Sequence, residues 1–286
     1  MPLRLALWSP ILAPFFTVVT LITCFAIAKA KDIYVGSLSW PYFSDMGRDD
    51  PAYYVFVVGL CLTAIFLLLT WWFNWHFQAS VLSHSAAKQT APPSLSRCNT
   101  AASIMGMIST IGLPILSIYR VSYPHPEVHN YAAYFFFVFQ AAAVLLNTYV
   151  SRRILTIISE NASQVPTRLL VSIQRAWRVQ IAFASIFLVA FILYIPVGLA
   201  LVCEFARLTQ AKCIDLNLGV EYCTVTVRLD ATNTKLYDYS NCYSINQMRA
   251  GAQLACILTL VGYAVSFVFH ELHHDKDEAT YEHTTG

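Results

Sequence analysis

Two groups of residues carry side chains that could do chemistry. The first is His270-Glu271-Leu272-His273-His274, inside FVFHELHHDKDEATYEHTTG at the end of the sequence. It matches H-E-x-x-H, in which two histidines one helical turn apart hold zinc and the glutamate is a general base. His270 and His274 could share a metal. No defined third ligand accompanies them beyond Glu278, Glu282 or His283, and the tail has no framework to hold such a site. The favoured reading is a solvated helix end running into a polar tail, with no metal and no cofactor. A zinc hydrolase using His270, Glu271 and His274 stays as the alternative.

The second group is split between two segments. WPYFSDMGRDDPAYYVF sets Ser44 and Asp45 in a tight polar turn before an apolar block, and YPHPEVHNYAAYFFFVF sets His125, Glu127 and His129 at the start of another. Asp45 and His129 could act as an acid/base pair on a lipid headgroup, or join His125 and Glu127 around a metal. The structural reading has Asp45 capping backbone amides and pairing with His129 to lock two loops together. Ser44 adjoins Asp45, but sequence neighbours often point apart, and no G-x-S-x-G elbow is present. Catalysis is therefore not the favoured reading.

The elements that must position these groups follow from composition. Of 286 residues, 57% are hydrophobic and 12% charged, against about 25% charged in a globular domain. The apolar residues fall in blocks of roughly 20, the length that crosses a bilayer. Six are counted: 11–28, 53–75, 101–119, 131–150, 179–203 and 249–270. The first could instead be a signal peptide, with cleavage sites at Ala26-Ile27-Ala28 or Ala28-Lys29-Ala30. Its apolar run is longer than the usual h-region, so a span is preferred. A net charge of +2 leaves no nucleic-acid footprint, and no P-loop, dinucleotide fingerprint or internal repeat is found.

No ionisable residue lies mid-span, which argues against a proton-coupled carrier. Gln140, Asn147 and Gln253 read as interhelical hydrogen-bonding groups, and Ala102/Gly106 and Gly251/Ala255 as close-packing pairs. Trp71, Trp72 and Trp75 read as an interfacial belt closing the second span.

Six spans put both termini on one side. The 18 Lys and Arg divide equally between the sides, so the positive-inside rule acts only locally. The loop between spans four and five holds Arg152, Arg153, Arg168, Arg175 and Arg178 with one acid, Glu160. It reads as cytosolic, and its arginines as anchors or as ligands for anionic phosphoinositides. The last loop, 204–248, carries Cys213, Cys223 and Cys242, with Cys203 at its edge. Thr224–Arg228 alternates as a strand, and Asp230–Thr234 favours a turn. With the turn centred between Thr232 and Asn233, Cys223 and Cys242 face each other and can bridge. This places the loop on an oxidising, lumenal or extracellular side. The one N-x-S/T sequon, Asn161-Ala162-Ser163, falls on the cytosolic side and is read as chance.

Pro41-Tyr42-Phe43-Ser44-Asp45-Met46-Gly47, with Pro51 after it, resembles the P-x-I-S-D-T-G…P segment of the Frag/DRAM/Sfk family. His129 with Ala133 and Phe136 is similar to that family's H-x-x-x-A-x-x-F entry into span four. Met46 replaces the family's usual Thr, and Ala52 stands where an acid is common. The resemblance covers nearly the whole chain. It implies a multi-pass endomembrane protein handling lipids. Three roles come with it: lipid remodelling of GPI anchors in the Golgi, support of a phosphatidylinositol 4-kinase at the plasma membrane, or autophagy modulation in lysosomes.

The expectation is thus an all-α membrane protein, a six-helix bundle with a small disulfide-bearing β-hairpin in its last lumenal loop and a polar cytosolic tail over 271–286. Its partners would be membrane lipids, GPI anchors or phosphoinositides among them, with protein partners on the cytosolic side. The ER or Golgi is the preferred location.

Overall fold

The computed structural model describes residues 2–83, 91–203 and 206–270. In order come α1 (Pro2–Ala30), α2 (Phe43–Met46), α3 (Ala52–Ser83), α4 (Pro93–Ser109), α5 (Gly112–Ile118), α6 (Pro126–Glu160) and α7 (Thr167–Ile192). After them come α8 (Gly198–Leu201), β1 (Ala206–Thr209), α9 (Gln210–Asp215), β2 (Asn233–Asp238) and α10 (Tyr243–Val265). Six helical stretches are long and apolar enough to cross a membrane. The chain is therefore a multi-pass membrane protein.

Proline sets several boundaries. Pro93 and Pro126 sit in the first turns of α4 and α6, where the missing N–H would have been unpaired anyway. Pro114 cannot donate to Thr110, and Ser109 and Thr110 bond back to Gly106 and Met107. Together these interrupt the third span between α4 and α5. Pro196 lies in a π-helical stretch, Leu193–Val197, that links α7 to α8.

The helices outrun the apolar blocks. The 35 residues of α6 span about 52 Å at 1.5 Å each, well beyond the hydrocarbon. Its last turns bury Ile154, Leu155, Ile157 and Ile158 against Val81, Leu95, Leu169 and Ile173. That cluster is a second small core at one end of the long helices, which hydropathy alone does not reveal. Within the bundle, Asn147 Oδ1 accepts from Asn74 and Gln78 at 2.8 and 3.1 Å, and its amide donates to Tyr263 Oη at 2.8 Å. Gln140 donates to Ser109 Oγ at 2.8 Å. Each such bond between membrane helices contributes roughly 0.6–2 kcal/mol.

Other expectations change. Trp71 is core, not belt: α3 runs on past it, and its ring packs on Phe267 and over Gly106. Gly251 faces open space, so it makes no close helix contact; only the Ala102/Gly106 pair is used that way.

The expected Cys223–Cys242 bridge does not form. The disulfides are Cys203–Cys242 and Cys213–Cys223. The predicted strand at Thr224–Arg228 is mostly a π-helical turn, Tyr222–Thr226. A turn is present, because Asp230 Oδ1 accepts from the backbone of Thr232 and Asn233. However, it bridges Arg228 to Thr234, a register that does not bring Cys223 to Cys242. The hairpin-like sheet is formed instead by β1 and β2, antiparallel with Arg207 opposite Tyr237. Leu208, Cys213, Cys223, Val227 and Leu236 make its core.

Candidate functional site

The face carrying the disulfides is closed by three loops that hold one another. Arg120 reaches Asp50 at 3.1 Å, Arg207 donates to Ser122 O at 3.0 Å, and Tyr53 donates to Ile118 O at 3.0 Å. At their centre is the Pro41–Gly47 segment. It folds as the single turn α2, with all four residues buried. Its first amide, Phe43 N, donates to Gln253 Oε1 at 3.0 Å, supplying the partner that a helix start lacks. Gly47 ends the turn, where a Cβ would lie 2.5 Å from the Phe56 ring.

Asp45 is 1% exposed. Its Oδ2 accepts from Tyr239 Oη at 3.0 Å, and Arg48 Nη1 lies 3.8 Å from Oδ1. Arg48, also buried, donates to Asp49 at 3.1 and 2.8 Å and to Tyr34 O at 2.7 Å. Tyr222 adds a bond to Asp49 at 3.3 Å. Burial pushes the Asp45 carboxyl above its ordinary value, while Arg48 and Tyr239 pull it back. Burial also holds the Tyr239 hydroxyl protonated, well above its usual range. Asp45 thus ties the first interspan loop to Tyr239 at the end of the last.

His129 does not join it. Asp45 and His129 take separate partners, so the expected pair is not formed. Nδ1 of His129 lies 2.6 Å from Leu116 O and 2.9 Å from Tyr119 O. Both are carbonyls and can only accept, so Nδ1 carries the proton. No protein group among the described residues bonds to Nε2. His129 sits one turn inside α6, with Nδ1 aimed at the end of α5. His125 and Glu127 face solvent and bond each other at 3.2 Å, so they take no part in the buried site.

Two cavities meet at His129. Below it is an apolar cleft of about 750 Å³ between the spans, lined by Phe43, Phe56, Leu60, Leu113, Phe136, Leu260 and neighbours. Above it is a polar chamber of about 470 Å³, lined by Tyr42, Tyr134, Tyr194, Tyr237, Tyr239, Asn130 and Arg249. Ser44, His129, Ala133 and Gln253 line both. Arg249 is 2% exposed, near the rings of Tyr194 and Tyr42 at 5.8 and 6.0 Å. Gln253 is held from both sides, by Phe43 N and by Tyr194 Oη at 3.0 Å.

The chamber was not foreseen. Tyr42, Tyr134, Tyr194, Tyr239 and Arg249 come from separate segments, and only topology unites them. Arg249 at the head of an apolar block, with polar Asn246, Gln247 and Gln253 around it, was the available signal. At the opposite face, Arg152, Arg153, Arg168, Arg175 and Arg178 are all exposed, with Arg152 over the Trp177 ring at 4.7 Å. His270 turns inward, with its ring stacked on Phe77 at a centroid distance of 4.0 Å. Glu271 and His274 lie outside the described residues. Among the described residues no group of three His, Cys, Asp or Glu side chains is placed to hold a metal.

No curated protein and no solved structure matches the chain significantly. A family model does: the Frag1/DRAM/Sfk1/Cwh43P N-terminal domain, over residues 6–282. This span takes in both the Pro41–Gly47 turn and the His129 entry to α6, and by it the chain belongs to the Frag1/DRAM/Sfk1/Cwh43P family.

Proposed function

We propose that the protein is an integral factor of lipid homeostasis in the endomembrane system, acting in lipid remodelling of GPI anchors at the lumenal leaflet of the ER or Golgi. The observation that carries this is the pair of abutting cavities. An apolar cleft opening between spans suits an acyl chain, and a polar chamber on the disulfide-bearing face suits a headgroup. Concave apolar sites with a few placed polar groups are the usual form of a ligand site. Two disulfides on that face support its placement in an oxidising compartment. The role is non-enzymatic: Asp45 is committed to Arg48 and Tyr239 and is not presented to the cavities.

The test is the lipid composition of GPI anchors in cells lacking the protein. Re-expressed wild type should restore normal anchors. Leu113→Trp, which fills the cleft, and His129→Ala should not. Normal anchors in the null cells would refute the remodelling role.

A second reading rests on the five exposed arginines. They favour an anionic leaflet at roughly 1 kcal/mol each. That reading makes the protein a cytosolic-side scaffold for a phosphatidylinositol 4-kinase complex, or a lysosomal autophagy modulator. It predicts that replacing the five arginines impairs function more than Leu113→Trp does.

A further inference from the structure

At the end of the bundle away from the disulfides, a small cavity lies beside the second core. Gln78 of α3, Ser151 of α6 and His270, just past α10, line it together, with Phe77, Ile154 and Ile173 on its sides. All three polar residues are buried. Gln78 spends its amide hydrogens on Asn147 Oδ1 and Ser151 Oγ, both at 3.1 Å. Its nitrogen therefore faces α6, and its oxygen has no protein partner among the described residues. Ser151 Oγ receives one of those hydrogens and still has its own to give. The His270 ring lies on Phe77 with 4.0 Å between centroids. Its Nδ1 likewise has no protein partner among the described residues.

Buried polar atoms left unpaired in this way are costly. An apolar occupant relieves neither of them. A phosphate or carboxylate brings only acceptors and would face the Gln78 oxygen with another oxygen. The occupant that fits is small and donates twice. We propose that the cavity is a binding site for an internal water, which joins α3, α6 and the end of the last span. One hydrogen of the water goes to Gln78 Oε1 and the other to His270 Nδ1, while its oxygen accepts from Ser151. Buried waters typically make about three such bonds. Water also serves the other imidazole tautomer, by accepting from Nδ1–H. The site gives the first histidine of the H-E-x-x-H run a role that its spacing does not suggest: it seats the end of the last span against α3 and α6. It stands apart from the apolar cleft and the polar chamber and does not depend on what they bind.

X-ray radiolysis of the full chain in detergent tests it, because hydroxyl radicals made from a bound water oxidise the side chains that touch it even where bulk solvent cannot reach. His270 should be oxidised several times faster than Phe187, which is buried in the apolar core of the bundle. Ala176 also lines the cavity. Ala176→Leu fills the space without altering any of the three polar groups and should bring His270 down to the rate of Phe187. Ser151→Ala keeps the bond from Gln78 to Asn147 and removes one partner of the water. It should slow His270 by itself, which covers a misfolded Ala176→Leu. A His270 rate no higher than that of Phe187 in the wild type would overturn the water site. So would a fast rate that neither variant changes, since the radicals would then come from bulk water at the helix end.

Discussion

Tyr239 donates its hydroxyl hydrogen to Oδ2 of Asp45 at 3.0 Å, across 194 positions of sequence. The bond joins the first interspan loop to the end of the last, in a site from which water is excluded. Tyr239→Phe keeps the ring and removes only the donor. Leaving a buried acceptor unpaired costs about 1–3 kcal/mol. Arg48→Met should cost more, about 3–5 kcal/mol, because it strands a buried charge. Melting of the purified variants in detergent measures both. The double variant should lose less than the two single losses combined, since both partners serve one carboxylate.

The Asp45 carboxyl also predicts a pH dependence. Burial raises its native value above the 3.8 of an ordinary aspartate. The native state therefore holds the proton more tightly than the unfolded chain does. Its contribution to stability is present in full below about 3.8 and is lost as the pH rises through the raised value. The melting temperature should fall over that window in the wild type. The slope should flatten in Asp45→Asn, and an unchanged slope would show that another group is responsible.

Non-reducing peptide mapping should recover Cys203 linked to Cys242 and Cys213 linked to Cys223. Cys213→Ser should free Cys223 for alkylation and leave the Cys203–Cys242 bridge intact. A Cys223–Cys242 peptide would contradict the fold of the cap.

Glycines give a contrast within one molecule. A Cβ at Gly106 would lie 2.3 Å from the Trp71 ring, and one at Gly47 would lie 2.5 Å from Phe56, whereas Gly251 has nothing within 4 Å. Gly106→Ala and Gly47→Ala should each destabilise by about 1–3 kcal/mol through overpacking. Gly251→Ala, in a helix interior with room to spare, should gain about 0.5–1 kcal/mol. Thermal melts of the three variants test the ordering.

The six spans and the small disulfide-bearing sheet of the last loop are legible in the sequence. They depend on apolar length and local turn chemistry, which act over short distances. The partners of Asp45 and His129 are not legible in the sequence. Tyr239 and Arg48 are unremarkable residues in sequence, and only the packing of the cap against the bundle makes them ligands of Asp45. The disulfides were misassigned for a related reason. The turn expected over Asp230–Thr234 is present, but its register is off by a few residues, and the strand that pairs with Asn233–Asp238 is supplied by Ala206–Thr209. The far ends of α3 and α6 were missed because they bury side chains against protein, which hydropathy scores like any soluble helix.

Most of the hydrogen bonds that hold the Pro41–Gly47 turn come from the other end of the chain. Ser39 and Trp40 amides meet Gln247, Tyr42 donates to Asn246, Phe43 N meets Gln253 and Asp45 meets Tyr239. During synthesis the first interspan loop is therefore made long before these partners exist. Until the last span is inserted, Asp45 and Arg48 remain wet and the turn is unheld. A ribosome stopped, or a message truncated, before about residue 240 yields five spans with that loop open, a form that chaperones and proteases can tell from the finished protein. The same wiring makes completion of the last span the step that closes the cavities.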